Sequence, residues 1–164
     1  MSDLLTTLRA EFDATFAAEY DHEHELREGL LVLTVGERTM YAPASRLSAV
    51  VRCPPVTRVP GSPEALLGVG AVRGRLRAVY GLSSLLGQQQ PPRPPWLLLC
   101  AAHPALALAV GVVAGYRSVP LSQLHPLDAD AGLTGIRDIA HHDGTAVPVI
   151  DLERIEAKIV AWRD

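Results

Sequence analysis

An all-β chain built as two small barrels is what this sequence predicts, and three observations point there. Short apolar runs alternate with Gly and Pro turns, no strand–helix alternation of a doubly wound sheet is present, and one pattern occurs twice. Arg73-Gly74 leads through Ala78-Val79 to Leu82, and Asp143-Gly144 leads through Val147 and Val149-Ile150-Asp151 to Leu152. Each is a glycine turn feeding an apolar strand that ends at a helix start. A length of 164 residues suits one domain or two small subdomains. With 48% hydrophobic residues but only 5% aromatic ones, Val, Leu and Ala must do most of the packing.

Taken in order, Leu31–Val35 reads as a strand, with a turn at Gly36-Glu37. Thr39–Ala42 follows and is ended by Pro43, and Leu47–Cys53 is ended by Pro54-Pro55. Ser62 to Gly68 has the grammar of a very short helix: Ser62 to cap, Pro63 at the first position, Glu64 at the positive end of the dipole and Gly68 to stop. Arg75–Leu82 reads as a strand, and Gln88–Pro95 (QQQPPRPP) as an extended, polyproline-like linker. No charge occurs from Trp96 to Val113, a length that just allows a membrane span, but His103-Pro104 near its middle breaks a helix. Two buried strands, 96–102 and 105–113, joined by a tight turn are expected instead. A loop through Pro120–Gly132 precedes strands at Gly135–Ala140 and Thr145–Ile150. Asp151 then caps a short C-terminal helix carrying Leu152, Ile155, Ile159 and Trp162 on one side.

Residues 1–28 differ in kind from the body, residues 29–164. They hold eight acids against Arg9 and Arg27, a net −6, which leaves the body at +3. Leu4, Leu5, Leu8, Phe12 and Phe16 recur at helical spacing behind Ser2 or Asp3 as cap, so a helix is expected over 3–20. Such a helix either lies on the body's surface or offers an apolar stripe to a partner or a membrane.

Reactive chemistry is poorly represented. Cys53 and Cys100 sit in apolar runs without CxxC spacing and read as buried thiols; with no signal peptide, this points to a cytosolic protein. His22-Glu23-His24-Glu25 and His141-His142-Asp143 have the composition of metal ligands. However, residues two apart diverge on a helix, and Asp143-Gly144 is explained by a hairpin turn. Ser83-Ser84 and His103 form no nucleophile pair that sequence supports. No catalytic residue, cofactor or metal is therefore expected.

Arg73, Arg75 and Arg77 alternate, and on a strand they share one face, with Leu76 and Ala78 turned into a core. That face is either simply solvated or a basic ridge whose planar forks dock an acidic or amide-rich helix. A nucleic-acid surface would need stacking aromatics beside the arginines, and only Tyr80 is near. Among the aliphatics, Leu47, Val50, Val51, Val56 and Val59 read mainly as core, with some available to a shallow helix-binding groove.

Over about residues 30–157 the chain resembles the CheW-like family of adaptor domains from bacterial chemosensory arrays. Val56, Thr57, Val59, Pro60, Pro63, Leu66, Gly68, Val69, Val72, Arg73 and Gly74 match, without a gap, the family's V-T-x-V/I-P-x-x-P-x-x-I-x-G-V-x-N-L-R-G run. Tyr41 and Pro43 resemble its Y-x-x-P element with one residue fewer between them. Gly111-Val112-Val113 is similar to its G-x-x-V-D strand, and Gly144 with Val149-Ile150-Asp151-Leu152 to its closing segment. The resemblance implies two five-stranded SH3-like β-barrels and a non-catalytic scaffold that couples a CheA-type histidine kinase to the cytoplasmic tips of chemoreceptors. It also implies pairing with other CheW-like domains, a cytoplasmic location at membrane-associated or polar arrays, and no membrane insertion. Its partner-binding residues here are Arg73 with Val72, Gly74 and Arg75, and Leu47, Val50 and Val56. Ala71 stands where the family has Asn, Ala49 where it has Glu, and Ala78-Val79-Tyr80-Gly81-Leu82 where it has Pro-Val-Ile-Asp-Leu. Those departures point to a divergent adaptor, of an array serving type IV pili or surface motility. The alternative is a coupling or polar-localisation protein that binds other partners through its N-terminal helix.

Overall fold

A computed structural model describes residues 25–128 and 135–163. The expected helix over 3–20, and part of the expected loop through Pro120–Gly132, lie outside the described residues. Among the described residues twelve strands are present: β1 Arg27–Val35, β2 Arg38–Pro43, β3 Leu47–Arg52, β4 Val56–Thr57, β5 Leu66–Val72, β6 Arg75–Gly81, β7 Trp96–Cys100, β8 Leu106–Val110, β9 Val112–Pro120, β10 Leu124–Pro126, β11 Ile136–His142 and β12 Thr145–Ile150. Two α-helices complete the described fold, α1 Leu82–Leu85 and α2 Leu152–Arg163.

The strands form two six-stranded sheets of the same design. One runs β10-β11-β12-β2-β1-β9 and the other β4-β5-β6-β8-β7-β3. In each, the parallel pair lies third to fourth, β12 with β2 and β6 with β8, and the other neighbours are antiparallel. The hairpin β1–β2 joins a sheet otherwise made from the second half of the chain, and the hairpin β7–β8 joins one otherwise made from the first half. The halves are thus interleaved.

Strand alternation fills three apolar clusters. Leu97, Leu99, Val79, Ala107 and Ala109 point to the inner face of the second sheet, and Leu30, Tyr41, Val147 and Val149 to that of the first. Their sequence neighbours Met40, Tyr80, Leu98 and Leu108 meet Leu33 and Val35 of β1 in a central cluster shared by both sheets. Both helices cover that cluster, through Leu82 and Leu85 on α1 and Leu152, Ile155 and Ile159 on α2. Each fully buried leucine stabilises the fold by about 1.5–3 kcal/mol, so the shared cluster is what holds the sheets together.

Two strands are present across 96–113 as expected, β7 and β8, antiparallel about the turn at His103-Pro104, but the second stops at Val110: the chain bends at Gly111, and Val112-Val113 open β9 in the other sheet. Asp151 caps α2, its Oδ1 accepting from the Arg154 N–H at 3.0 Å. Trp162 departs from the expected buried stripe at 44% exposure, with the Lys158 ammonium 5.3 Å from its ring.

The helix expected over Ser62–Gly68 is not formed. The Ser62 hydroxyl caps back onto the Val59 carbonyl at 2.7 Å, a single turn links Pro63 to Leu66, and the chain then enters β5. Pairing with β4 and β6 satisfies the backbone of 66–72 along a whole strand, which a one-turn helix cannot match.

Candidate partner-binding site

The β5–β6 hairpin turns through Arg73 and Gly74, with φ of 50° and 74°. Two positive-φ residues between paired strands make the tight turn that follows strand twist, and the second position needs glycine. Arg73, Gly74 and Arg75 are all exposed at this tip. Leu76 beside them is 74% exposed, an unusual setting for a leucine. Val72 lies at the root of the turn, buried in the inner cluster of its sheet.

The arginines do not form one ridge. Arg73 belongs to the turn rather than the strand, and Arg77 is 8% exposed, its guanidinium donating to the Pro104 carbonyl on the β7–β8 turn. Alternation places Arg77 on the same side as Val79, which at this depth is the inside of the sheet. Leu76 shares its side with Ala78 and Tyr80 but lies past the edge of the central cluster, so it faces solvent instead of core. The tip therefore exposes two arginines, Arg73 and Arg75, and one apolar side chain, Leu76.

The aliphatic candidates lie on the outer strands of the same sheet. Leu47 and Val50 on β3 pack half-buried against the central cluster, and a bulge between Leu47 and Ala49 turns Ala49 and Val51 toward the inner one. Val56 on β4 packs against the inner cluster and borders a cleft of about 790 Å³ walled by Pro54, Pro55, Pro92, Pro94 and Pro95. Arg58 and Arg93 stand at its margin, and Arg52 stacks 4.4 Å from the Trp96 ring centroid nearby. The structure gathers Arg73, Gly74 and Arg75 at one tip and places Leu47, Val50 and Val56 along the sheet's edges.

Sequence reading passed over one ionic cluster. Glu156 is 1% exposed, with His103 Nε2 at 3.7 Å and Arg46 Nη2 at 3.9 Å. Its signal is a glutamate inside the Leu152, Ile155, Ile159 stripe. Burial, reinforced by Glu156, pushes the Cys100 thiol up to about 12, and burial raises Cys53 as well. Both are therefore thiols rather than thiolates near neutral pH, without the nucleophilic form. Arg137 is held charged: burial works against it, but Glu28 at 2.8 Å and Asp138 at 2.5 Å outweigh that. His142 sits beside Asp143 at the second hairpin turn, as the Asp-Gly pattern implied, and among the described residues no three His, Cys, Asp or Glu converge as metal ligands. Ser83 is buried on α1, while His103 stands on the β7–β8 turn.

A family model described as the CheW-like domain matches residues 29–159. The chain belongs to the CheW-like domain family. Among solved structures, this CheW-like chain is similar to the crystal structure of the scaffolding protein TtCheW from Thermoanaerobacter tengcongensis. The TM-score is 0.68 at 18% identity, over 77% of this chain and 90% of that one. At that identity the likeness concerns the fold: a mostly β, two-sheet, CheW-like architecture. The comparison with curated proteins returns no match. No helix among the described residues is long and apolar enough to cross a membrane.

Proposed function

We propose that this CheW-like chain is a non-catalytic scaffold of a bacterial chemosensory array, coupling a CheA-type histidine kinase to chemoreceptor tips. The family match over residues 29–159 carries this reading. In it, each sheet acts as an SH3-like barrel subdomain of one domain spanning 29–164, and a barrel face pairs with a homologous CheW-like domain. Arg73 and Arg75 supply hydrogen-bond donors at a rigid tip, Gly74 shapes it, and Val72 anchors it in the core. Leu47, Val50 and Val56 border the apolar groove that takes a helix. The losses at Ala49, Ala71 and Ala78–Leu82 support a non-standard array, such as one for type IV pili or surface motility. The protein works in the cytoplasm and is recruited to membrane-associated or polar arrays.

The test is a titration of the full chain and Arg73→Glu against the regulatory domain of a CheA-type kinase and against a chemoreceptor tip fragment. Because Arg73 is exposed, the variant should keep wild-type stability within about 0.5 kcal/mol and bind about tenfold or more weakly. Equal affinity would remove Arg73 from the interface, and no binding of either partner by the wild type would overturn the adaptor reading.

A further inference from the structure

Two adjoining hollows, of about 380 and 460 Å³, run along α2 and share Leu85 and Lys158. Their floor is apolar and belongs to the central cluster, with Leu85, Ile155 and Met40 all buried. Their margins carry Arg38, Arg154 and Lys158, and among the described residues no acidic side chain lines either hollow. Among the described residues, none of these three cations is in an ion pair. The groove is thus aliphatic below and positive along its edges, so its complement is an amphipathic acidic segment.

The chain itself contains one. Residues 1–24 hold six acids against Arg9, a net −5, together with Leu4, Leu5, Leu8, Phe12 and Phe16. At about 100° per residue these five fall in one stripe, with Glu11 and Asp13 flanking it on opposite sides. An apolar stripe between two carboxylate edges is the inverse of an apolar floor between cationic edges. A helix over 3–20 is about 27 Å long, and residues 21–24 add up to about 14 Å of extended chain. Together these span a domain whose radius of gyration is roughly 14 Å.

We propose that residues 3–20 seat this stripe in the groove along α2, with their carboxylates against Arg38, Arg154 and Lys158. The N-terminal segment would then extend the central cluster, and any partner that takes the segment must first compete with the groove. This stands independently of which proteins the barrels bind.

Lys158 is the only lysine in the chain, which makes a direct test available on the full-length protein. A zero-length carbodiimide condenses a carboxylate with an amine only where the two already touch. The expected result is an intramolecular link between Lys158 and an acid of residues 1–24, Glu11 or Asp13 foremost, mapped by peptide mass spectrometry. Its yield should fall at least fivefold in Phe12→Asp/Phe16→Asp, whose circular dichroism reports whether the body stays folded. Absence of that link, links of Lys158 only within 25–164 or between copies, or an unchanged yield in the double variant would each overturn the proposal.

Discussion

The β5–β6 and β11–β12 hairpins repeat one another at a constant offset of 70 residues, from Gly74 to Gly144. Their turns have φ of 50° and 74° in the first, 50° and 75° in the second. Each carries a bulge at the same place, Leu67 in one and Arg137 in the other, and each closes with the same backbone bond, Gly81 N–H to Ala65 and Asp151 N–H to Gly135, both 2.8 Å. Apart from the shared turn glycines Gly74 and Gly144, the side chains differ at each of these landmarks. The first tip is cationic with an exposed leucine, while the second carries Asp143 and the small Ala146. Backbone geometry is set by turn glycines and ladder bonds, which tolerate wide side-chain change, so two copies of one frame can present surfaces of opposite charge.

The sharpest way to break the equivalence is at Gly68, whose counterpart is Asp138. A β-carbon at Gly68 would lie 2.1 Å from the Thr57 carbonyl oxygen, because β4 runs close across β5 there, and φ is 147°. Gly68→Ala should cost about 3 kcal/mol or more, read as a shift in the urea midpoint; a loss near that of an ordinary surface change would mean that β4 readily moves aside. The bulge comes next. Leu67 is fixed by apolar packing, whereas Arg137 is fixed by Glu28 and Asp138. Leu67→Ala and Arg137→Ala should each cost about 1–2 kcal/mol, the latter discounted for partial exposure. The two differ in response to salt: raising ionic strength should shrink only the Arg137 effect. The smallest effect belongs to the turns. Gly74→Ala and Gly144→Ala should each cost about 1 kcal/mol, and a marked difference between them in thermal melts would show that the turns are not under the same constraint.

Much of this frame was legible in the sequence because glycine and proline punctuate it. Asp143-Gly144 and Arg73-Gly74 announced both hairpins, His103-Pro104 the third, and Asp151 the start of α2. Local signals misled where tertiary pairing overrode them, as at Ser62–Gly68, where helix-start residues lead into β5. β9 reaches Pro120, well past the apolar run ending at Val113, because Gly115, Tyr116 and Arg117 are held by the β1 ladder rather than by burial. The candidate site was half legible. The Arg73-Gly74 motif marked the tip, but nothing in the alternation of Arg75 and Arg77 reveals that the β7–β8 turn covers Arg77. Nor does any residue record which sheet a strand joins, so the crossing of the chain between sheets, from β2 to β3 and from β8 to β9, had no sequence signature.

That crossing has a consequence for how such a chain can be divided. Cut at Gln88–Pro95, the first fragment would keep β1–β2 with no sheet of its own to join, and the second would keep β7–β8 in the same position. An isolated half could complete its sheet only by trading hairpins with another molecule, the arrangement of a domain-swapped dimer. The present chain has the strand topology of such a dimer with its two members tied end to end. The tether removes concentration from the equilibrium, so the pairing survives at any dilution.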